Sequence, residues 1–239
     1  MKILFKYPTR GRALKFFRAL ETYYKLMSGK DFEFVISVDE DDTHMNNKEV
    51  IAVLENFPNL SVNFGNSKNK IEAINADMKN KKFDILVLVS DDMIPEVKGY
   101  DDIIRSEMKT KYPDTDGVLW FFDGWRRDLN TLCILGKKYY DRFGYIYHPE
   151  YKSFWCDAEF TDVANALGLQ SFYEQVIIRH LHPDVVMSDL TAMQKFSEIL
   201  PEFIAQKSFG HDEVWKKNSI PGDPDHQIYL DRKLKNFDL

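Results

Sequence analysis

Two adjacent carboxylates stand at the end of a hydrophobic strand. Ser90, Asp91 and Asp92 directly follow the apolar run 85–89, and such a run is typical of a strand that is buried on both faces of a parallel sheet. Like charges this close repel each other, so the pair is usually held for a cation or for ligand hydroxyls. The alternative is that one acid only caps or turns the loop before Pro95.

The elements that must position these acids alternate along the first half of the chain. Apolar residues at the spacing i, i+3, i+4, i+7 predict a helix after each of the first three strands. This alternation implies right-handed crossovers and an α/β fold, in which a mostly parallel central sheet has helices on both faces. The predicted strands are 3–7, 32–38, 60–64 and 85–89.

All four of these strands end in loops that are rich in charged residues. Ligands bind beyond the carboxyl ends of the strands in an open parallel sheet, so these side chains are expected to converge. Carboxylates and cations together suit a divalent metal that bridges a diphosphate, with nearby acids that hold a ribose or a base. The candidate donor-binding residues are Pro8, Thr9, Arg10 and Arg12 after the first strand, Asp39 and Asp41 after the second, Asn66 and Lys70 after the third, and Asp91 after the fourth.

Several classes of protein are excluded or disfavoured. Neither the Gly-x-x-x-x-Gly-Lys pattern nor Gly-x-Gly-x-x-Gly after the first strand occurs, which argues against an ordinary NTPase or dinucleotide enzyme. The formal net charge of −6 argues against broad nonspecific nucleic-acid binding. The sequence has no run of about 18 apolar residues, so no membrane span is expected. With only two cysteines, no disulfide framework is expected, and a reducing, cytoplasmic location is the simplest interpretation.

The second half is less regular. We predict strands at 118–122 and 131–135, which a turn at Asp123-Gly124-Trp125 separates, and a further strand at 175–179. An irregular aromatic stretch is predicted at 139–155, and helices from about 157 and at 189–205. The domain prediction is one domain over 1–205, which divides into a nucleotide-binding half (1–92) and an acceptor half (93–205). A C-terminal helical arm completes the predicted fold. The polar, turn-rich residues 206–239 are interpreted as a mobile surface tail.

Two histidines follow the last predicted strand. Residues two apart in an extended segment share a face, so His180 and His182 can point the same way. Imidazole suits Mn²⁺ or Zn²⁺, and His182, beside Pro183, is the preferred ligand. The alternative is that both histidines are structural.

The aromatic middle of the chain suggests an acceptor site. Flat aromatic faces stack on sugar rings or bases, and Trp125 and Trp155 are the candidates for lining the acceptor side. Arg126 is a candidate for holding a phosphate or an acidic acceptor. The alternatives are that the aromatic residues fill the core and that Arg126 is a solvated turn residue.

Several short motifs, in this order, resemble those of GT-A-fold glycosyltransferases, close to the family 2 type of nucleotide-diphospho-sugar transferases. The resemblance covers roughly residues 2–185. The matching pieces are Pro8-Thr9-Arg10-Gly11-Arg12, Val38-Asp39, Gly65, Ala73-Ile74-Asn75-Ala76 and, in place of the DxD motif, Ser90-Asp91-Asp92. Ser90 departs from the pattern, because many relatives carry a third acid there.

The resemblance implies a role for each matched residue. Asp39 would bind the nucleobase or ribose beside the Pro8-Thr9-Arg10 loop, Asp91 the ribose or sugar, and Asp92 the cofactor, Mn²⁺ or Mg²⁺. Many GT-A enzymes also use a late histidine as a metal ligand, which fits His180 or His182.

The resemblance also implies a catalytic carboxylate at the start of the helix near residue 157. Asp157 matches best as the base that an inverting transfer needs, and Glu159 is the second candidate. The alternative is that Asp157 is an N-cap and Glu159 a first-turn acid.

The implied activity is metal-dependent transfer of a sugar from a UDP- or GDP-sugar to an acceptor hydroxyl. The acceptor class stays open among a saccharide, a lipid-linked glycan and modified DNA, and retention replaces inversion if no carboxylate reaches the acceptor. The alternatives are a sugar-nucleotide nucleotidyltransferase, although its Gly-rich first loop is absent, and a non-catalytic nucleotide-sugar-binding domain.

Overall fold

The computed structural model describes residues 1–181 and 223–239. The strands are β1 (Ile3–Thr9), β2 (Phe32–Asp39), β3 (Leu60–Gly65), β4 (Ile85–Leu88), β5 (Met93–Pro95), β6 (Val118–Phe121), β7 (Ile134–Gly136), β8 (Gln170–Tyr173) and β9 (Ile178–His180). The helices are α1 (Ala13–Leu26), α2 (Lys48–Leu54), α3 (Lys70–Asn75), α4 (Tyr100–Lys111), α5 (Lys137–Phe143), α6 (Cys156–Ala166) and α7 (Pro224–Leu234). The predicted helix at 189–205 lies outside the described residues.

A seven-stranded sheet with the order β3-β2-β1-β4-β7-β6-β8 forms the centre of the molecule. The strands β1 to β4 are parallel, with Ile3 level with both Phe32 and Ile85. The order of these four strands reverses between β1 and β4, and this is the position where open α/β sheets bind ligands. The predicted parallel sheet of the first half is confirmed.

Side chains alternate between the two faces of this sheet, so each face has its own core. Ile3, Phe5 and Tyr7 are fully buried against α1 and α4, where Phe5 stacks on Phe34 at a centroid distance of 4.6 Å. Leu4, one residue out of phase, packs on the opposite face with apolar residues of α3, α5 and α6. Burial on both faces explains why the strands are almost continuously apolar.

The second half continues the same sheet with mixed directions. The strand β7 is antiparallel to both β4 and β6, so β6 runs parallel to β4 and ends at the same edge. The strand β8, which the sequence analysis missed, pairs with β6. The predicted strand at 175–179 forms later, as β9, and pairs with β5. Within the predicted irregular stretch 139–155, α5 forms and ends at Gly144, whose left-handed φ of 75° terminates the helix.

The C-terminal residues are part of the core, so the predicted surface tail at 206–239 is wrong for residues 223–239. Tyr229 and Phe237 pack into the same cluster as α5 and α6, and Arg232 is buried. The tail looked mobile because it is polar and turn-rich, but its few apolar residues are spaced to meet α6. Among the described residues, no helix combines the length and apolar character that crossing a bilayer requires.

Candidate donor and catalytic site

Asp91 lies at the switch point of the sheet and meets the loop after β1. Its carboxylate is 8% exposed and accepts hydrogen bonds from Arg12 Nη1 at 3.2 and 3.4 Å. Burial and the neighbouring Asp92 charge raise the pKa of Asp91 to about 6, against the opposing effect of Arg12. Arg12 thus holds Asp91 between the two strands, where a ribose or sugar hydroxyl can reach it.

Asp92 is the more open of the two acids and has different partners. Its side chain is 34% exposed and accepts a hydrogen bond from Ser90 Oγ. Burial acts to raise the pKa of Asp92, but His180, Ser90, Arg12 and Lys70 together hold it below its usual value. The pKa is thus lowered for Asp92 and raised for Asp91, so Asp92 is the better suited of the two to bind a metal, whose ligands must be deprotonated.

The last residue of β9, His180, faces this acid across the strand ends. Its Nε2 lies 3.9 Å from Asp92 Oδ2, and its Nδ1 lies 3.7 Å from Asp123 Oδ2. The backbone fixes this arrangement, because His180 N–H donates to Asp123 O at 2.9 Å and Leu181 N–H donates to Asp92 O at 2.7 Å. His182 lies outside the described residues, so its ligand role stays a prediction.

Asp123 is a site residue that the sequence analysis treated only as part of a turn. It follows β6, is 1% exposed, and accepts hydrogen bonds from the N–H groups of Trp125 and Arg126 and from Thr131 Oγ1 at 2.6 to 2.8 Å. The turn needs Gly124, whose φ is +90° and where a Cβ would lie 2.1 Å from Arg179. The signal was present, since Asp123 is another acid at the end of an apolar strand.

Asp92 and His180 fit one divalent metal ion. Two donor atoms that each lie about 2.1 Å from an ion are at most about 4.2 Å apart, and the distance here is 3.9 Å. A carboxylate that backs the other nitrogen of a ligating histidine is the usual arrangement at metal sites, and Asp123 has that position. No cluster of three or more acidic, histidine or cysteine ligands occurs within 1–181 and 223–239, so phosphate oxygens or water would complete the coordination.

The predicted base-binding acid Asp39 lies at the other end of the crevice, and both of its carboxylate oxygens already accept hydrogen bonds from other residues of the chain. Arg10 Nη1 donates to Asp39 Oδ2 and to Asp41 Oδ1, both at 2.5 Å, and Ser67 N–H donates to Asp39 Oδ1 at 3.3 Å. Hydrogen bonds from Arg10 to Asp41, then to Asp39, raise the pKa of the guanidinium. Asp39, Asp41 and Arg10 are therefore together, as predicted, and form one ionic cluster.

The loop after β3 supplies one cation close to the metal-site residues. Burial is the largest influence on the pKa of His180 and lowers it, but Asp123 and Asp92 raise it overall. The Lys70 charge is a smaller, lowering contribution to the pKa of His180 and also helps to lower the pKa of Asp92. Asn66 instead donates to Glu40 Oε2 at 2.9 Å on an exposed surface. Pro8 and Thr9, the last residues of β1, are half-buried. The structure thus brings Lys70 to the acid pair and leaves Asn66 at the rim.

Asp157 lies in the first turn of α6, near the end of the β6 loop. The hydrogen bonds that Arg126 donates to Asp128 are the largest cause of the raised pKa of Arg126, and the charges of Asp157 and Asp123 add to it, so both of these carboxylates lie near Arg126. Trp155, not Asp157, is the N-cap residue of α6, and it makes no side-chain capping bond. The alternative interpretation of Asp157 as an N-cap is therefore wrong.

Glu159 is not placed as a catalytic base, and this candidate is wrong. Its side chain is 6% exposed, and both oxygens are taken: Arg232 donates to them at 2.8 and 3.0 Å, and Tyr151 Oη donates at 2.7 Å. Two residues along a helix point about 200° apart, so Glu159 cannot share the direction of Asp157. It pairs with the C-terminal helix instead.

The Glu159→Gln change is expected to destabilise the fold by up to about 3–5 kcal/mol, because it leaves the buried Arg232 charge with only the exposed Asp238 as its partner, at 3.1 Å. Equilibrium unfolding in urea measures this loss. Lys233→Met is the matched control, since its pair with Asp162 is half-exposed and such pairs contribute about 0–1 kcal/mol. Equal stability of Glu159→Gln and the unaltered protein would contradict the structural role.

The three candidates for the acceptor side lie in different surroundings. Arg126 forms a bidentate pair with the exposed Asp128 at 2.7 Å and lies 5.5 Å from the Trp125 ring centroid, so both stay at the site rim. Trp155 stacks on His226 at 4.1 Å, and its Nε1 donates to Asp223 at 2.8 Å. The ring of Trp155 is thus engaged by the C-terminal segment, which sequence reasoning did not foresee.

Solved structures share this fold at low sequence identity. The mannosyltransferase PcManGT from Pyrobaculum calidifontis, in complex with GDP-Man and Mn²⁺, superposes with a TM-score of 0.64 at 13% identity, over 90% of this chain and 68% of that one. S. aureus TarS gives a TM-score of 0.62 at 17% identity, over 99% of this chain but 48% of its own length. No protein-family model and no curated protein matches the sequence.

The 1–349 fragment of S. aureus TarS in complex with UDP-GlcNAc has a TM-score of 0.59 at 17% identity, over 91% of this chain and 69% of that one. The chain therefore has the GT-A fold, which confirms the fold that the motifs predicted. It spans about half the length of the longer S. aureus TarS chain that it matches.

Proposed function

We propose that the chain is a metal-dependent glycosyltransferase that moves a sugar from a nucleoside-diphosphate donor to an acceptor hydroxyl with inversion. The observation that carries the proposal is the approach of Asp92 and His180 to 3.9 Å at the switch point of a GT-A sheet. Arg12 and Lys70 add positive charge there. Acidic ligands beside cations are what a metal–diphosphate group requires.

The donor would lie along the edge of the sheet from β3 to β4. We assign Asp39, which pairs with Arg10, to the base or ribose. We assign Asp91, which pairs with Arg12, to the ribose or sugar. The structural neighbours differ in nucleotide, since PcManGT is in complex with GDP-Man and TarS 1–349 with UDP-GlcNAc. A UDP- or GDP-sugar is therefore the proposed donor class.

The leaving group and the acceptor are handled by different residues. Mn²⁺ or Mg²⁺, when bound, neutralises charge that develops on the departing diphosphate. Asp92 and His180 would hold that ion, Asp123 would orient His180, and Arg12 and Lys70 would add positive charge beside the phosphates. Asp157 accepts the proton of the attacking hydroxyl, and attack from the side opposite the diphosphate inverts the anomeric centre. Trp125 and Arg126 border the acceptor side, for a saccharide, a lipid-linked glycan or modified DNA.

A donor panel tests this proposal. We expect Mn²⁺ together with UDP-glucose, UDP-GlcNAc or GDP-mannose to raise the melting temperature, since a ligand that binds only the folded state stabilises it. The shift should vanish with EDTA, and the stabilising donor should be hydrolysed slowly without an acceptor. Stabilisation without any hydrolysis would favour a non-catalytic binding domain. Absence of any metal-dependent shift across the panel would contradict the proposal itself.

A further inference from the structure

The C-terminal segment holds the stretch of chain that carries Asp157. Asp225, in the first turn of α7, is 1% exposed. Its Oδ2 accepts hydrogen bonds from the N–H groups of Lys152, Ser153 and Phe154 at 3.2, 2.7 and 2.8 Å, and its Oδ1 also accepts from Lys152 at 3.1 Å. One buried carboxylate thus accepts hydrogen bonds from three successive backbone amides, and such charge-assisted hydrogen bonds are strong.

The same segment also fixes the residue that starts α6. Trp155 has a left-handed φ of 63°, which is an unfavourable conformation for a bulky residue and persists only where the surroundings impose it. Asp223 accepts a hydrogen bond from its indole, and His226 stacks on its ring with an interplanar angle of 19°. These contacts from Asp223 and His226 therefore stabilise the sharp turn of the backbone at the start of α6.

Asp157 lies between two fixed points. Before it, Asp225 and Asp223 hold residues 152–155, and after it Arg232 holds Glu159 through two hydrogen bonds. The first turn of α6 has no capping side chain of its own, so its position depends on these tertiary contacts.

We propose that Asp225 is a positioning residue, which sets Asp157 against the acceptor by holding the three backbone amides before α6. This inference rests on the proposed function, in which Asp157 is the base. It assigns the C-terminal helix an indirect part in the reaction, through the backbone that leads into α6. Since a misplacement of about 1 Å costs about 10²-fold in rate, loss of the Asp225 contacts should lower kcat by at least about tenfold while donor binding is unchanged.

The test compares Asp225→Ala, Asp225→Asn and the matched control Asp231→Asn in the full chain. Asp231 is exposed on the same helix, and its Oδ1 accepts a hydrogen bond from Gln227 of that helix at 2.8 Å. Three quantities are measured: amide hydrogen exchange of residues 152–154, the affinity for the nucleotide sugar with Mn²⁺, and kcat for donor hydrolysis with water as acceptor. We expect faster exchange and lower kcat in Asp225→Ala, intermediate values in Asp225→Asn, and unaltered values in Asp231→Asn. Donor affinity should stay within about twofold throughout.

The possible outcomes separate this inference from the proposed function. Unaltered kcat in Asp225→Ala despite faster exchange overturns the positioning role, and so does a parallel loss of donor affinity in both Asp225 variants. If Asp225→Ala does not fold, Asp225→Asn decides by the same criteria. No hydrolysis by the unaltered protein, although it binds donor, overturns the proposed function and with it the role of Asp157. In that case, faster exchange in the Asp225 variants would still identify a purely structural contact.

Discussion

Replacing Asp92 with alanine is expected to abolish metal-dependent binding of the donor. Burial acts to raise the pKa of Asp92, but His180, Ser90, Arg12 and Lys70 lower it overall, and Asp92 lies 3.9 Å from the only histidine of the described residues that approaches it. A metal ion contributes several kcal/mol of charge stabilisation to such a reaction, so kcat for donor hydrolysis should fall by about 10³-fold or more. Isothermal titration with Mn²⁺ and the donor measures the binding loss directly.

Two further variants serve as comparisons for Asp92→Ala, one beside the metal site and one far from it. Ser90→Ala removes only the hydroxyl that donates to Asp92 and should weaken metal affinity by about 10–100-fold, as outer-sphere changes do. Asp114→Asn removes a similar charge from an exposed pair with Lys138 and should change nothing. Metal-dependent donor binding that survives in Asp92→Ala would show that another group holds the metal.

The Asp92→Ala protein should stay folded without ligands but should be somewhat less stable. Removing Asp92 relieves the repulsion that, after burial, raises the pKa of Asp91, but it also removes the interactions with His180, Ser90, Arg12 and Lys70 that lower the pKa of Asp92 against burial. A carboxylate whose pKa is lowered in the folded state stabilises that state when it is ionised. The metal-free variant should therefore unfold in one cooperative transition at a modestly lower melting temperature, which distinguishes a lost site from a lost fold.

Asp157→Asn is expected to lower kcat by about 10²–10⁴-fold, the usual contribution of a general base, with donor affinity unchanged. Asparagine has nearly the same shape but cannot take the proton of the attacking hydroxyl. The prediction is measured as kcat for donor hydrolysis beside the dissociation constant for donor and Mn²⁺. Loss of both quantities together would mean that Asp157 binds the donor and is not the base.

The matched control for this variant is Asp162→Asn. Asp162 lies on the same helix and accepts from Tyr229 and Lys233 at the surface, so it tests the same substitution away from the reacting groups. If Asp157→Asn retains full kcat, no carboxylate at this position assists the acceptor, and a retaining mechanism replaces the inverting one.

The first half of the fold could be predicted because its signals are local. Each strand is a short apolar run, each helix shows its apolar stripe, and parallel βαβ units are right-handed almost without exception. The convergence of the loop residues at one edge follows from this alternation alone, and Asp91 and Asp92 lie where it placed them. The irregular second half could not be predicted as well, since β8 and β9 are short and their partners are distant in sequence.

Residues that act through distant partners were the ones misjudged. Glu159 looked like a second catalytic acid because it shares a first turn with Asp157, yet Arg232 occupies it. Asp123 looked like a turn residue, yet it meets His180. In both cases the partner that determines the role of the acid comes from another part of the chain. The local pattern of residue types does not indicate which partner that is.

The sequence by itself determined the parallel α/β unit, the strand ends that carry charge, and the acid pair at the fourth of them. Only the tertiary structure decided that His180 stands between Asp92 and Asp123, that Glu159 is a buried partner of Arg232, and that residues 223–239 pack on α6 instead of forming a tail. The physical reason is the separation in sequence over which the interactions act. Periodicity and turn chemistry act over a few residues and can be read from them, whereas buried ion pairs and backbone clamps depend on which elements the whole fold brings together.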